Sequence, residues 1–302
     1  MIRRPERAAR AEPALKSVVP AVGSHAGEAV ARLVETHGPR IHALALRLCR
    51  HRADAEDTVQ DVFLQALRKW HTFRGDANPG TWLYTIALRA CRARTRRKGG
   101  LDRRQIPISQ LMPWKETTVM ELAASPDGSE HASERNEAVA RVQAQIALLP
   151  EHLRVPLILK DVLELGLSEV AATLGLAENT VKTRLHRARL ALRKAMTAKA
   201  ERVPAPAPIF EKQVCLDLLK AKMEAMDRGG QAAGQHVPQA ELCARCRAVF
   251  RELDLVQDAC AQLNQGEMPA SLRAKILSAL RQREDAERSA PRRRGRRPVR
   301  SR

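Results

Sequence analysis

Cys243-Ala244-Arg245-Cys246 is a C-x-x-C pair, with Cys215 upstream and His236 seven residues before it. Three thiolates and one imidazole are the donor set of a tetrahedral structural zinc site, so Cys215, His236, Cys243 and Cys246 are the expected Zn2+ ligands. Such an ion would supply the binding energy that a unit of about 70 residues lacks in its small core. Two other readings use the same sulfurs. One is a metal-free fold in which they are small apolar groups. The other is a redox dithiol, with Cys260 as resolving thiol; Cys260 is also an alternative fourth ligand. Cys49 and Cys91, on apolar helical faces, read as core. No Asp/Glu cluster has metal-ligand spacing, no glycine loop cradles phosphate and no nucleophile is paired with a base, which argues against an enzyme such as a metal-dependent nuclease.

The elements that must position these groups belong to a chain of 302 residues, long enough for two or three small domains. Its 53 lysines and arginines against 34 acids leave a net charge of +19, which points to a polyanion, either nucleic acid or an acidic surface. Aromatics are scarce and Ala, Leu, Val and Arg dominate, so the expected fold class is all-α. No apolar run has the roughly 18 residues a membrane span needs, and no apolar stretch follows the basic N-terminus. No membrane insertion and a cytoplasmic location are expected. Six cysteines are too few for a disulfide scaffold.

Apolar periodicity divides the chain. Residues 1–27 form an unpatterned leader, expected to be disordered. Residues 28–98 carry three or four helices, including one from about Asp54 and one through Leu83, Ile86, Ala87 and Ala90. Residues 99–135, with scattered Pro, Ser and Gly, are expected to be a flexible linker. Residues 136–198 return to helix, 199–210 are a Pro-rich spacer, and 211–283 form a third helical module. The tail, 284–302, is Arg-rich, expected to be disordered and to add salt-dependent phosphate attraction.

The segment LSEVAATLGLAENTVKTRLHRARLALR is a short helix with Ser168 as expected cap, a turn at Gly175, and a second helix from about Glu178. Val181, Leu185, Ala188 and Leu192 make one buried stripe; Lys182, Thr183, Arg184, His186, Arg187 and Arg189 occupy the other faces. That is the pattern of a helix-turn-helix, whose second helix enters the major groove, where Arg and Lys reach guanine edges. An amphipathic hairpin with a solvated basic face is the plainer alternative.

Four of the eight aromatics, Trp70, Phe73, Trp82 and Tyr84, flank the turn from Arg74 to Gly80, and an Arg-rich helix end follows. Such a surface suits unpaired DNA, with Arg74, Asp76 and Asn78 as base-contact candidates and Arg92, Arg94, Arg96 and Arg97 tracking phosphates. For Trp82 and Phe73 a core role is the favoured reading.

ADAEDTVQDVFLQALRKWHTFRGDANPGTWLYTIALRACRARTRRK and LPEHLRVPLILKDVLELGLSEVAATLGLAENTVKTRLHRARLALR together resemble the extracytoplasmic-function branch of bacterial RNA polymerase sigma factors. The resemblance implies a region 2 that binds the polymerase clamp and opens the −10 element, and a region 4 that docks on the β-flap and reads the −35 element. By position it implies Asp57, Gln60 and Asp61 as polymerase contacts. Arg74, Asp76, Asn78, Arg89, Arg92 and Arg96 then face the −10 DNA, and Lys182, Thr183, His186 and Arg187 the −35 duplex. Ala177 departs from the family's helix-capping residue, and His186 is an unusual base reader. A stand-alone helix-turn-helix regulator acting without polymerase is the alternative function.

VCLDLLKAKMEAMDRGG, LCARCRAVFREL and MPASLRAKILSAL resemble the zinc-binding anti-sigma domain, here fused to its own target. That family places a His with three residues between it and the C-x-x-C pair, where this chain has Gln239. The resemblance implies regulation by the extension, which folds back on regions 2 and 4 or binds an anti-sigma factor or other regulator, at an effective concentration raised by the covalent link.

Overall fold

The computed structural model describes residues 26–49, 51–75, 78–97, 105–120, 131–198, 202–229, 242–264 and 267–289, with backbone only for 97, 115, 120, 131–138, 202, 287 and 288. The fold is all-α, as the composition predicts, apart from one two-stranded ribbon. The leader and the tail beyond 289 lie outside the described residues.

Three long helices, α1 (Ala26–Leu48), α2 (Arg52–Lys69) and α3 (Pro79–Arg97), pack on one another as the first lobe. Their facing stripes, including Leu33, Ile41, Leu44, Val59, Val62, Phe63, Leu83 and Leu88, are buried. The second helix begins at Arg52, two residues before the expected start at Asp54. Trp70 and Phe73 stack at 5.2 Å, and Trp82 closes the cluster from 5.9 Å and 5.4 Å. These rings therefore hold the α2–α3 turn together, the core role favoured for Trp82 and Phe73.

The second lobe comprises α5 (His131–Leu148), α6 (Glu151–Leu157) with a wider π turn at Ile158–Val162, α7 (Leu167–Leu174) and α8 (Glu178–Thr197). Pro156 stands within α6, where it cannot donate to the helix ladder. Ser168 does not cap α7: the helix starts at Leu167, with Gly166 as cap residue and the Glu169 carboxylate accepting its N–H at 2.9 Å. A carboxylate one turn into the helix serves better here than the neighbouring hydroxyl.

Between the lobes, the described linker residues 105–120 lie against the body. A short α4 (Ile108–Leu111) contacts α8, Leu111 is buried, and β1 (Thr118–Met120) pairs antiparallel with β2 (Arg202–Pro204) from the Pro-rich spacer. The third unit supplies α9 (Lys212–Asp227), α10 (Ala244–Gln262) and α11 (Ala270–Ser289). Helix α10 packs on α5 and α8, whereas α11 packs on α1 and α2. One apolar core runs through all three units.

The α1–α11 contact is close because α1 lacks side chains where α11 arrives. Gly38 lies against Met268, where a Cβ would meet its Cε at 2.8 Å. Gly27, three turns earlier on α1, donates its N–H to Glu284 at 2.6 Å. Glu284 thereby satisfies an otherwise free donor in the first turn of α1.

Candidate nucleic-acid interface

The recognition-type hairpin forms where the sequence places it. Gly175 adopts φ +65°, the left-handed conformation that ends a helix, and Leu176 N–H returns to the Ala171 carbonyl at 3.0 Å. Helix α8 starts without a side-chain cap; only the Ala177 carbonyl receives the Thr180 and Val181 N–H groups. Val181, Leu185, Ala188 and Leu192 are fully buried. On the outer faces, Thr183 is exposed, with its hydroxyl on the Asn179 carbonyl, and Lys182, His186 and Arg187 are half-buried.

In the first lobe Arg74, Arg89 and Arg96 are exposed. Arg92 pairs with Glu151 of α6 at 2.6 Å. Asp76 lies outside the described residues. Asn78, expected at a base, has its side chain engaged twice: Oδ1 accepts the Gly80 N–H at 2.8 Å, capping α3, and Nδ2 donates to Glu169 of α7 at 3.3 Å. Arg92–Glu151 and Asn78–Glu169 join the lobes, and beside the first of these an open groove of about 760 Å³ is lined by Arg92, Glu151, Thr183, Arg184 and Arg187. Residues expected at two separate DNA elements thus face one concavity.

Of the residues expected at the polymerase, Asp57 and Asp61 are exposed and Gln60 is half-buried on α2. Asp57 shares Arg94 with Asp54, at 3.4 Å and 3.5 Å. The same helix carries α11.

Sequence reasoning missed the most consequential pair. Arg189 and Arg193 are fully buried on α8, although a basic outer face was expected for Arg189. Arg189 donates to both oxygens of Asp161 at 2.8 Å and 2.7 Å, and to Asp227 of α9 at 2.6 Å. Arg193 donates to Glu116 of the linker and to Glu252 of α10 at 2.6 Å. Asp227 also meets His186 Nε2 at 3.3 Å. Burial works against the charge of Arg189, yet Asp161 and Asp227 outweigh it and hold its pKa above the ordinary guanidinium value. Asp227 is held below the usual carboxylate range: burial alone would raise it, and His186 and Arg189 more than compensate. The signal was present in the spacing, since 185, 189 and 193 form one row beside the buried stripe and an arginine there needs carboxylate partners.

In the third unit the Cys246 and Cys215 sulfurs stand 3.9 Å apart, and Cys243 Sγ accepts the Cys246 N–H at 3.4 Å. Burial pushes the Cys246 thiol up to about 12, whereas Cys243 is lowered: backbone and Cys246 hydrogen bonds overcome its burial. His236 lies outside the described residues. Among the described residues no group of three His, Cys, Asp or Glu side chains is arranged to hold a metal ion. Cys260 is buried on the far part of α10 with its thiol pKa raised by burial. Arg245, between the paired cysteines, donates to the linker carbonyls of Trp114, at 3.0 Å, and Glu116.

A family model described as Sigma-70 region 2 matches residues 33–100, and one described as Sigma-70, region 4 matches 140–192. The ECF RNA polymerase sigma factor SigW of Bacillus subtilis is 32% identical over 170 residues, covering 55% of this chain and 88% of that protein. The RNA polymerase sigma-H factor of Pseudomonas aeruginosa is 32% identical over 168 residues, 54% of this chain and 84% of that protein. Against the ECF sigma factor SigE of Mycolicibacterium smegmatis, identity is 31% and the match spans 59% of the relative's length. The solved structure of CnrH in complex with the cytosolic domain of CnrY is similar over 58% of this chain and 94% of that one, at 23% identity and a TM-score of 0.42.

Proposed function

The chain belongs to the extracytoplasmic-function sigma factors, promoter-specificity subunits of bacterial RNA polymerase, and from that premise we propose that the structure is its closed, promoter-excluding form. In the open form, region 2 (the first lobe) binds the polymerase clamp through Asp57, Gln60 and Asp61 of α2 and opens the −10 element. Region 4 (the second lobe) docks on the β-flap and reads the −35 element through Lys182, Thr183, His186 and Arg187. In this reading the chain is a cytoplasmic binding subunit with no active site of its own. Among the described residues no helix is long and apolar enough to cross a membrane.

The observation that carries the closed reading is the contact of Arg92 with Glu151 across the two lobes. The −10 and −35 elements, about 25 positions apart, are separated by about 85 Å at roughly 3.4 Å per base pair. Lobes that share a salt bridge cannot reach both. The module supports the same state from two sides, since Asp227 and Glu252 hold buried arginines of α8 while α11 covers α2. Either contact must break before the helix faces are free.

A structural zinc ion held by Cys215, Cys243, Cys246 and His236 is part of the proposal. As they stand the described cysteines do not form a metal-holding group, but the Cys215–Cys246 separation is close to the roughly 3.8 Å that zinc–thiolate bonds of about 2.3 Å on a tetrahedron would set. Bound there, zinc would tie α9 to the start of α10 and hold Arg245 on the linker.

The test is transcription by core polymerase with the full chain, with the full-length pair Asp227→Asn and Glu252→Gln, and with a chain ending at Val203, together with metal analysis of the intact protein. Higher output from the pair and the truncation, and one zinc per chain, are expected. Failure to associate with core polymerase would overturn the function, equal output from all three the closed form, and metal-free protein the zinc.

A further inference from the structure

The groove beside the Arg92–Glu151 bridge holds more positive charge than its own residues neutralise. Its lining sets the guanidiniums of Arg92, Arg184 and Arg187 against the single carboxylate of Glu151. Arg92 uses only Nε on that carboxylate, at 2.6 Å. Its Nη groups have no partner among the described residues, although a guanidinium has five N–H donors to place. Arg184 and Arg187 are half-buried neighbours on one face of α8, and among the described residues neither has a carboxylate partner.

Arg189 and Arg193 on the same helix show the contrast, since each is fully buried and met by two carboxylates. A half-buried guanidinium without a counter-charge bears a desolvation cost that an anion from solution can offset. Like charges around a concave space add their fields, so the groove concentrates anions. The start of α8 acts in the same sense: it lacks a side-chain cap, and Asn179 and Thr180 of its first turn line the groove. A volume of about 760 Å³ falls within the range of about 300–1,000 Å³ of small-molecule sites. A DNA major groove takes in a convex helix. This space is concave and bounded by both lobes, which suits a compact anion rather than a duplex.

We propose that the interlobe groove binds a small polyphosphate, the di- or triphosphate group of a nucleotide or its inorganic counterpart, and that the bound anion holds the lobes together. Planar guanidinium forks pair with phosphate oxygens, and forks arriving from separate positions match a chain of phosphates better than a single one. On the closed form proposed above, the ligand meets Arg92 of the first lobe and Arg184 and Arg187 of the second at once. It therefore binds the closed arrangement more tightly than the open one and shifts the chain toward it. Promoter exclusion is strengthened as the polyphosphate concentration rises.

The test titrates the full-length chain by calorimetry with phosphate, pyrophosphate, tripolyphosphate, ADP and ATP, in magnesium-free buffer at fixed ionic strength. One site per chain is expected, with affinity rising from phosphate to tripolyphosphate. Tighter binding of ATP than of tripolyphosphate assigns the nucleotide as ligand, and the reverse order assigns the inorganic chain. Arg184→Gln should weaken tripolyphosphate binding about tenfold, the scale of one charge-assisted hydrogen bond, whereas Lys220→Gln, which removes an exposed cation of α9, should not. Several equivalents bound per chain, or equal losses in both variants, would show attraction by net charge alone and overturn the site. A short single-stranded oligonucleotide that displaces tripolyphosphate at equal phosphate concentration would give the groove to promoter DNA instead. Hydrogen exchange of the wild-type chain, which stands even if a variant misfolds, should slow in α3 and α8 alike on adding tripolyphosphate; protection confined to α8 would sink the bridging role. Association with core polymerase should fall several-fold with tripolyphosphate present. Unchanged association would remove the regulation and leave the anion site standing, whereas no association even without the anion would count against the sigma-factor function itself.

Discussion

Arg193 and Glu252 meet at 2.6 Å with both side chains almost wholly removed from solvent, which fastens the helix expected to read DNA to the module that follows it. A buried ion pair is weak evidence of net stabilisation, but removing Glu252 leaves the buried Arg193 charge with Glu116 alone. Glu252→Ala is therefore expected to lower unfolding free energy by less than the roughly 3–5 kcal/mol of a wholly unpaired buried charge, measured by urea denaturation. Glu252→Gln, which keeps a hydrogen-bond acceptor, should lose less and should raise promoter-dependent output.

Acid should loosen the same contact. A carboxyl held below its ordinary pKa contributes stability that is complete above the unfolded value near 4 and is lost as pH falls through the folded value. Asp227 is such a group. Hydrogen exchange of α9 and α8 amides is expected to be unchanged from pH 7 down to about 5, after correction for intrinsic rates, and to accelerate below about 4. Asp227→Asn should remove that group's share of the acid transition.

Asn78 is expected to matter to the free protein as well as to DNA. Asn78→Ala removes the acceptor for Gly80 N–H and the link to Glu169, and loss of such a cap costs about 1 kcal/mol. Asn78→Asp keeps the cap but sets a carboxylate against Glu169. Thermal melts of the two variants should separate capping from the lobe contact, since only the aspartate variant adds repulsion.

The outer face of α8 gives a salt-sensitive prediction. Arg187→Ala and Lys182→Ala should weaken promoter binding by the polymerase complex. A change of about 1–3 kcal/mol is expected for a side chain that reads a base. For one that only meets phosphate, the loss should be uniform across sequences, and the salt slope should fall by about one unit. Filter binding at several salt concentrations distinguishes them.

Much of this was legible in the residues. The stripe Val181, Leu185, Ala188 and Leu192 and the turn at Gly175 follow from helical period and glycine's freedom at positive φ. The interlobe contacts were not legible, because Arg92–Glu151 joins residues far apart in the chain and an exposed arginine reads the same in either state. Arg189 was misplaced on an outer face for a related reason: its carboxylates come from the turn after α6 and from α9, so no local window contains the set. Cys91, read as core from its place on an apolar face, is fully buried, and Cys49 is half-buried against the same core.

The pairing of Val119 with Val203 has a topological consequence. It brings the chain entering the second lobe alongside the chain leaving it, so the described residues 131–198 have a common entrance and exit. A lobe attached in that way can swing about one pivot without stretching either strand. Rotation at this clasp would carry the recognition helix away from α3 and withdraw Glu116 and the module from Arg193 in the same stroke.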